Sequence, residues 1–346
     1  MFMFDRFIGN ERAKEILRRM LTQRRIPGAL LLVGEEGLGK KLFALELAKA
    51  ANCRAPRGVE ACDECPSCLR IVKFELPSAD DRDAHKKIIW SEHRDVGMVR
   101  PYNRSILVEA ARDLERETNY RPVEGRARFF LIDHAELLSD ASSNALLKTL
   151  EEVQPTSHLL LLTARPASLL PTIRSRCQTV RFAPLPPAEV EAFLVSTRQR
   201  AGKEARLAAR LAGGRPGHAL RLNLDTYREQ REEMFDLLDA LTTSDRARLL
   251  RAAEDLSDAK RKDEYEPRLE VLEILIHDLW LLTLAPSEAA LTNDDLRERL
   301  TSLSTRVAPR RAARWLGRVE ELRSQLAVNV NRRVATDALL LSMAAD

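Results

Sequence analysis

The sequence predicts an α/β domain built on a parallel sheet, followed by helices alone. Short apolar runs at 29–33, 129–132 and 159–162, with a fourth strand candidate at 179–182, alternate with helical stretches in the first half. A glycine-rich segment joins the first of these runs to a helix. After Ala183-Pro184-Leu185-Pro186-Pro187 the strand signals stop. Apolar runs this short, separated by helices, indicate buried parallel strands with helices on both faces.

Taken in order, 10–25 has the helical spacing of Ile16, Leu17, Met20 and Leu21. The strand at 29–33 is followed by a helix over about 40–51, and a second amphipathic helix covers 104–120. The stretch 76–103 is polar and offers one short strand candidate, 88–90, so it reads as a surface excursion. Beyond the strand at 129–132 come a helix at 142–152, the strand at 159–162, a short helix, and a strand at 179–182. Three short helices fill 187–224, broken at Gly202 and at 213–217. Helical periods then cover 226–241, 244–257, 265–285, 309–326 and 331–344. The expected domains are 1–183 (α/β, with a cysteine-rich insertion at 53–68), 184–225 (small and helical) and 226–346 (all-helical).

The 346 residues are 45% apolar and 31% charged, a globular composition, and the length suits two or three domains. Fifty-six basic against 52 acidic residues leave a net charge of +4, which does not demand a nucleic-acid partner. No run of 18 apolar residues exists, so no membrane-spanning helix is expected. Asp5 and Glu11 sit where an export signal would be basic and then apolar, so a cytoplasmic location is expected.

Gly34-Glu35-Glu36-Gly37-Leu38-Gly39-Lys40-Lys41 lies between a strand and a helix, the setting of a phosphate-binding loop. There glycines let backbone N–H groups approach an anion, the helix N-terminus adds positive potential, and Lys40 would reach the β/γ-phosphates. The next residue should be Ser or Thr, whose hydroxyl oxygen binds Mg²⁺. Lys41 has no lone pair to give and repels a divalent cation. The second nucleotide strand ends in Asp133-His134. Asp133 can still stand beside a metal, but His134 replaces the carboxylate that would polarise water. Hydrolysis is therefore expected to be very slow or absent, and ATP binding is left open.

Cys53, Cys62, Cys65 and Cys68 cluster within 16 residues, and the fifth cysteine is Cys177. Four thiolates at this spacing suit a closed, structural Zn²⁺ site, with an iron–sulfur cluster as the alternative. Arg176 follows the strand at 159–162 and a short helix, at the rim of the α/β domain. On residue chemistry alone it is a solvated arginine, placed where it could reach a neighbouring subunit's nucleotide.

Asn144-Ala145-Leu146-Leu147-Lys148-Thr149-Leu150-Glu151-Glu152, the strand ending at Thr163, and Ser175-Arg176-Cys177 together resemble the bacterial clamp-loader branch of the AAA+ proteins. A four-cysteine insertion after the phosphate-loop helix is typical of that branch. Within it, Lys41 and His134 resemble the delta-prime type. The gamma/tau motor type keeps Thr and Asp-Glu at those positions, and a lid arginine where Gly217 stands here. Asn329-Val330-Asn331-Arg332-Arg333-Val334-Ala335-Thr336-Asp337 is similar to the last helix of the family's collar. The resemblance covers nearly the whole chain and is strongest over 28–68 and 125–222. It implies an AAA+ domain, a helical lid and a helical collar that holds the subunit in a five-membered arc. It also implies structural zinc on the four cysteines and Thr163 as the sensor-one residue. Arg176 would be the arginine finger that completes an adjacent motor subunit's ATP site. The implied role is a non-catalytic stator that works with gamma/tau and delta subunits, the sliding clamp and primer-template DNA, and that is not an obligate homo-oligomer. The alternative is an active ATPase of the motor type.

Overall fold

The computed structural model describes residues 3–243, 245–325 and 331–345. The chain divides into two compact units, 1–221 and 222–346.

The first unit holds a six-stranded sheet of β1 (Ala29–Val33), β2 (Ile89–Trp90), β3 (Val96–Val99), β4 (Arg128–Ile132), β5 (Ser157–Thr163) and β6 (Gln178–Arg181). The order is β2-β3-β4-β5-β1-β6, and every pairing is parallel except β2 with β3. Alternating side chains of each strand serve opposite faces. Leu30 and Leu32 enter a core with Leu17, Phe43 and Leu47, which belong to α1 (Glu11–Thr22) and α2 (Lys40–Asn52). Leu31 and Val33 enter the opposite core. There they meet α4 (Val108–Thr118), α5 (Asp140–Glu151) and α6 (Pro171–Arg176), after a short α3 (Pro66–Ile71) within the cysteine-rich insertion.

One expectation is corrected. The segment 76–103 is no surface excursion, because it contains β2 and β3, and β3 is an interior strand, buried along its length, between β2 and β4. Val96-Gly97-Met98-Val99 is too short to show a period. Gly97 breaks it because a Cβ there would lie 2.3 Å from Ile88 Cγ2. Beyond the sheet, α7 (Pro187–Ser196), α8 (Gly202–Leu211) and α9 (Pro216–Arg221) pack on one another. They are the three short helices expected between 187 and 224.

The second unit is helical throughout its described residues. It comprises α10 (Leu224–Thr243), α11 (Arg246–Leu256), α12 (Tyr265–Leu284), α13 (Arg297–Ser304), α14 (Pro309–Gln325) and α15 (Arg332–Ala345). The apolar helix α12 is the centre, packed against α10, α13 and α14. Several buried polar groups are paired: Tyr265 bonds Thr336 (2.7 Å), Trp315 Nε1 donates to the Met343 carbonyl (2.8 Å), and Asp278 accepts from Thr292 and Asn293. Helix α13 had no sequence signal. Of the Asn329–Asp337 motif, Asn329 and Val330 lie outside the described residues, as do Ser244 and Leu326 at the edges of two expected helices.

Candidate functional site

The phosphate loop is formed as the sequence demands. It leaves the end of β1 beside the end of β5, where Gly34 N–H donates to the Thr163 carbonyl (3.1 Å). Gly39 precedes α2 at φ +86°, a conformation open to glycine. Gly37, Gly39, Lys40, Lys41, Asp133 and Thr163 all line one cavity of about 550 Å³. Gly34 stands behind it.

The chemistry inside the cavity is altered. Lys40 folds back and donates to the carbonyls of Gly34 and Glu35 (2.5 and 2.8 Å). Lys41 places its ammonium 3.6 Å from Asp133 Oδ2. A cation of the chain itself thus faces the carboxylate that a Mg²⁺ would need. Burial lowers the pKa of Lys41, Asp133 opposes that shift, and nearby Arg100 adds to it. His134 takes a left-handed conformation (φ 52°) and turns its Nδ1 to Glu136, 3.6 Å away. The facing Glu136 carboxylate raises its pKa above the ordinary value against the effect of burial. Burial works against the Glu136 carboxylate, but the nearby His134, its own backbone N–H and Thr163 outweigh it and hold its pKa at about 2.

Helix α9 closes one side of this cavity. Gly217 N–H donates to the Gly37 carbonyl (2.8 Å), and a Cβ at 217 would meet that oxygen at 3.0 Å and the Gly37 Cα at 3.2 Å. A side chain at 217 therefore displaces the loop. Two ion pairs accompany this contact, Arg215 with Glu35 (3.7 Å) and Arg221 with Glu36 (3.3 Å).

The four cysteines form a separate cluster. Their sulfurs lie within 4.8 Å of one another, with Cys53–Cys62 and Cys65–Cys68 at 3.5 Å, Cys53–Cys65 at 3.9 Å and Cys62–Cys68 at 4.0 Å. Four thiolates at about 2.3 Å from one tetrahedral metal would stand about 3.8 Å apart, so the donor set fits a metal such as zinc. The N–H groups of Cys62 and Cys65 point at the sulfurs of Cys53 and Cys62 (3.3 Å each), a geometry that favours thiolates. Burial raises the pKa of Cys53 and Cys68, and a bound cation reverses that cost.

The cysteine loop also grips the N-terminal segment. Glu60, buried, accepts from Phe4 N–H (2.9 Å) and Arg18 Nε (2.6 Å), and Asp63 faces Arg6 (3.6 Å). Phe4 stacks on Phe43 and Phe7 packs against it at a tilt, with centroids 5.8 and 4.8 Å away, and Arg6, Phe7 and Ile8 form a wall of the cavity.

Arg176 lies outside the cavity, exposed, as the last residue of α6. Its Nε donates to Glu151 Oε1 (2.8 Å) and its Nη1 to the Thr172 carbonyl (3.0 Å). The side chain is therefore both exposed, as residue chemistry alone expects, and partnered.

The sequence of this chain matches the family described as "DNA polymerase III, delta subunit" over residues 9–186. It is 27% identical over 334 residues to DNA polymerase III subunit delta' of Bacillus subtilis, covering 96% of this chain and 95% of that one. It is 30% identical over 317 residues to subunit delta' of Escherichia coli, covering 90% and 87%. The chain belongs to the delta-prime family of clamp-loader subunits. It is also 27% identical to the gamma/tau subunit of Mycobacterium bovis, where it covers 62% of the longer protein. As a delta-prime chain it has the expected mixed α/β AAA+ fold with a helical C-terminal region.

Sequence reasoning missed Glu136, Arg100 and the wall made by Arg6, Phe7 and Ile8. Glu136 stands three residues past Asp133, a carboxylate within reach of the same turn, and could have been found by that spacing. Arg100 follows β3 and was hidden with that strand. Nothing local marks the N-terminal wall, because Glu60 holds it from 56 residues away.

Proposed function

We propose that this delta-prime chain is the non-catalytic stator of a DNA polymerase III clamp loader and lends Arg176 to the ATP site of an adjacent gamma/tau motor subunit. The observation that carries the reading is the Lys41 ammonium 3.6 Å from Asp133. Phosphoryl transfer needs a divalent metal bridging the phosphates and a group that orients the attacking nucleophile. Here a lysine stands against the metal's carboxylate and a paired histidine replaces the base. Lys40, Lys41 and the loop N–H groups still suit a phosphate, so nucleotide can be held without being turned over.

Arg176 supports the second half of the reading. It sits at an exposed helix end with a guanidinium suited to bidentate contact with phosphate oxygens. In this reading 184–225 is the lid, 226–346 is the collar that joins the delta and gamma/tau subunits, and the assembly acts on the sliding clamp and primer-template DNA. Zn²⁺ on Cys53, Cys62, Cys65 and Cys68 is structural, since all four positions are filled by protein.

The test is ATP turnover. The purified chain with Mg²⁺ should show none above background. In a loader reconstituted with its gamma/tau and delta partners, Arg176→Ala should lower the ATPase rate by about tenfold or more without impairing assembly. Turnover by the lone chain that Lys40→Ala abolishes would replace this reading with an active ATPase of the motor type.

A further inference from the structure

The Asn144–Glu152 run ends α5 with a carboxylate to which the stator role alone gives no task. We infer that Glu151 is a positioning residue for Arg176: it fixes the guanidinium so that one edge faces outward, ready for an anion of another subunit. This inference rests on the finger reading of Arg176.

A guanidinium has five N–H donors in a rigid plane. Glu151 Oε1 takes the Nε donor at 2.8 Å and one Nη2 donor, and the Thr172 carbonyl takes one Nη1 donor at 3.0 Å. One N–H on each terminal nitrogen has no hydrogen bond to the described residues, and because Glu151 Oε1 takes both Nε and Nη2, the N–H left on Nη2 lies on the end edge of the fork, between the two terminal nitrogens. That edge is the pair of parallel donors that binds two oxygens of a phosphate.

The supports of this arrangement are rigid. Helix α6 is anchored by Ile173, which is fully buried in the core beneath the sheet, and Leu146 and Leu150 of α5 enter the same core. Two short elements fixed to one core therefore present the carboxylate and the arginine to each other. A long, flexible side chain left free would lose rotamer entropy on binding its phosphate. Held by Glu151 and Thr172, much of that loss has already occurred on folding.

Arginine edges that act only as charge accumulates on the transferring phosphoryl group affect kcat more than KM. Glu151→Ala in the reconstituted loader should lower kcat for ATP by about two- to fivefold and leave KM for ATP within about twofold, as suits a half-exposed ion pair. Glu151→Gln keeps the shape without the charge and should fall between. In an Arg176→Ala background, Glu151→Ala should cause no further loss. Melting and assembly of each variant serve as the control, and Glu151→Gln decides if the alanine variant folds poorly. An unchanged or increased rate in Glu151→Ala overturns the positioning role while leaving the finger intact, provided Arg176→Ala is slow. A loss that persists in the Arg176→Ala background also overturns it. An Arg176→Ala loader with the normal rate removes the finger reading and this inference with it.

Discussion

The two ends of α2 carry two sites with contrasting donor sets. At its N-terminus stands the phosphate loop, whose shape is intact and whose chemistry is altered: Lys41 faces Asp133, and His134 is tied to Glu136. At its C-terminus stands Cys53, first of four sulfurs within 4.8 Å of one another, a complete donor set. The backbone is well formed at both ends. What separates them is the donor inventory, one lone pair lost at 41 and four thiols present in the cysteine loop. The outline of such a site is set by the backbone, while the donors it holds are set residue by residue.

The comparison is broken most severely at the cysteine end. Cys62→Ser should abolish stoichiometric zinc and lower the melting temperature by about 5 °C or more, because metal binding there contributes to folding. Zinc content and melting equal to wild type would show that the four cysteines are not one metal site. At the other end the loss should be partly reversible. Lys41→Thr returns a hydroxyl and frees Asp133, so Mg²⁺ should strengthen binding of a fluorescent ADP analogue by about tenfold, whereas in the wild type Mg²⁺ should add nothing. Hydrolysis should stay absent because His134 is unchanged. No Mg²⁺ effect in the variant would mean that Lys41 is not what keeps the metal out.

The smallest effect is a pH dependence of stability. The Glu136 pKa is depressed to about 2 in the folded chain, from an ordinary value of 4.5. Its contribution is therefore present above about pH 4.5 and is lost as pH falls toward 2. The His134 pKa is raised from 6.5, so its contribution is complete below that value and fades as pH rises through the folded pKa. Both charges are present between about pH 4.5 and 6.5. Glu136→Gln should cost about 1–2 kcal/mol in denaturant unfolding within that window, and less on either side. A gap that does not change with pH would mean that the pair is not the source of the stability.

Much of this was legible because it depends on local order. The strands at β1, β4 and β5 are apolar runs with clear punctuation, and the loop from Gly34 to Lys41 and the spacing of the cysteines are contiguous signals. The rest was not local. Strand β3 is four residues interrupted by a glycine, and it is a strand because β4 offers a partner and Ile88 and Trp90 leave no room for a side chain at 97. Glu136 acquires its role when the turn at His134 folds it under Thr163. Glu60 holds Phe4 across 56 residues, and Glu151 meets Arg176 across 25.

By itself the sequence determined which chemistry is available: a lysine without the neighbouring hydroxyl, an aspartate without its glutamate, and four thiols in reach of one metal. These are properties of residue types and spacing, and no fold can supply a missing lone pair. Only the tertiary structure decided who faces whom. It set Lys41 against Asp133, laid Gly217 so close on Gly37 that a Cβ there requires the loop to give way, and brought Glu151 to the arginine at the rim. Those choices depend on packing between distant segments, where a few tenths of an ångström at a backbone contact separate a site that can admit a group from one that cannot.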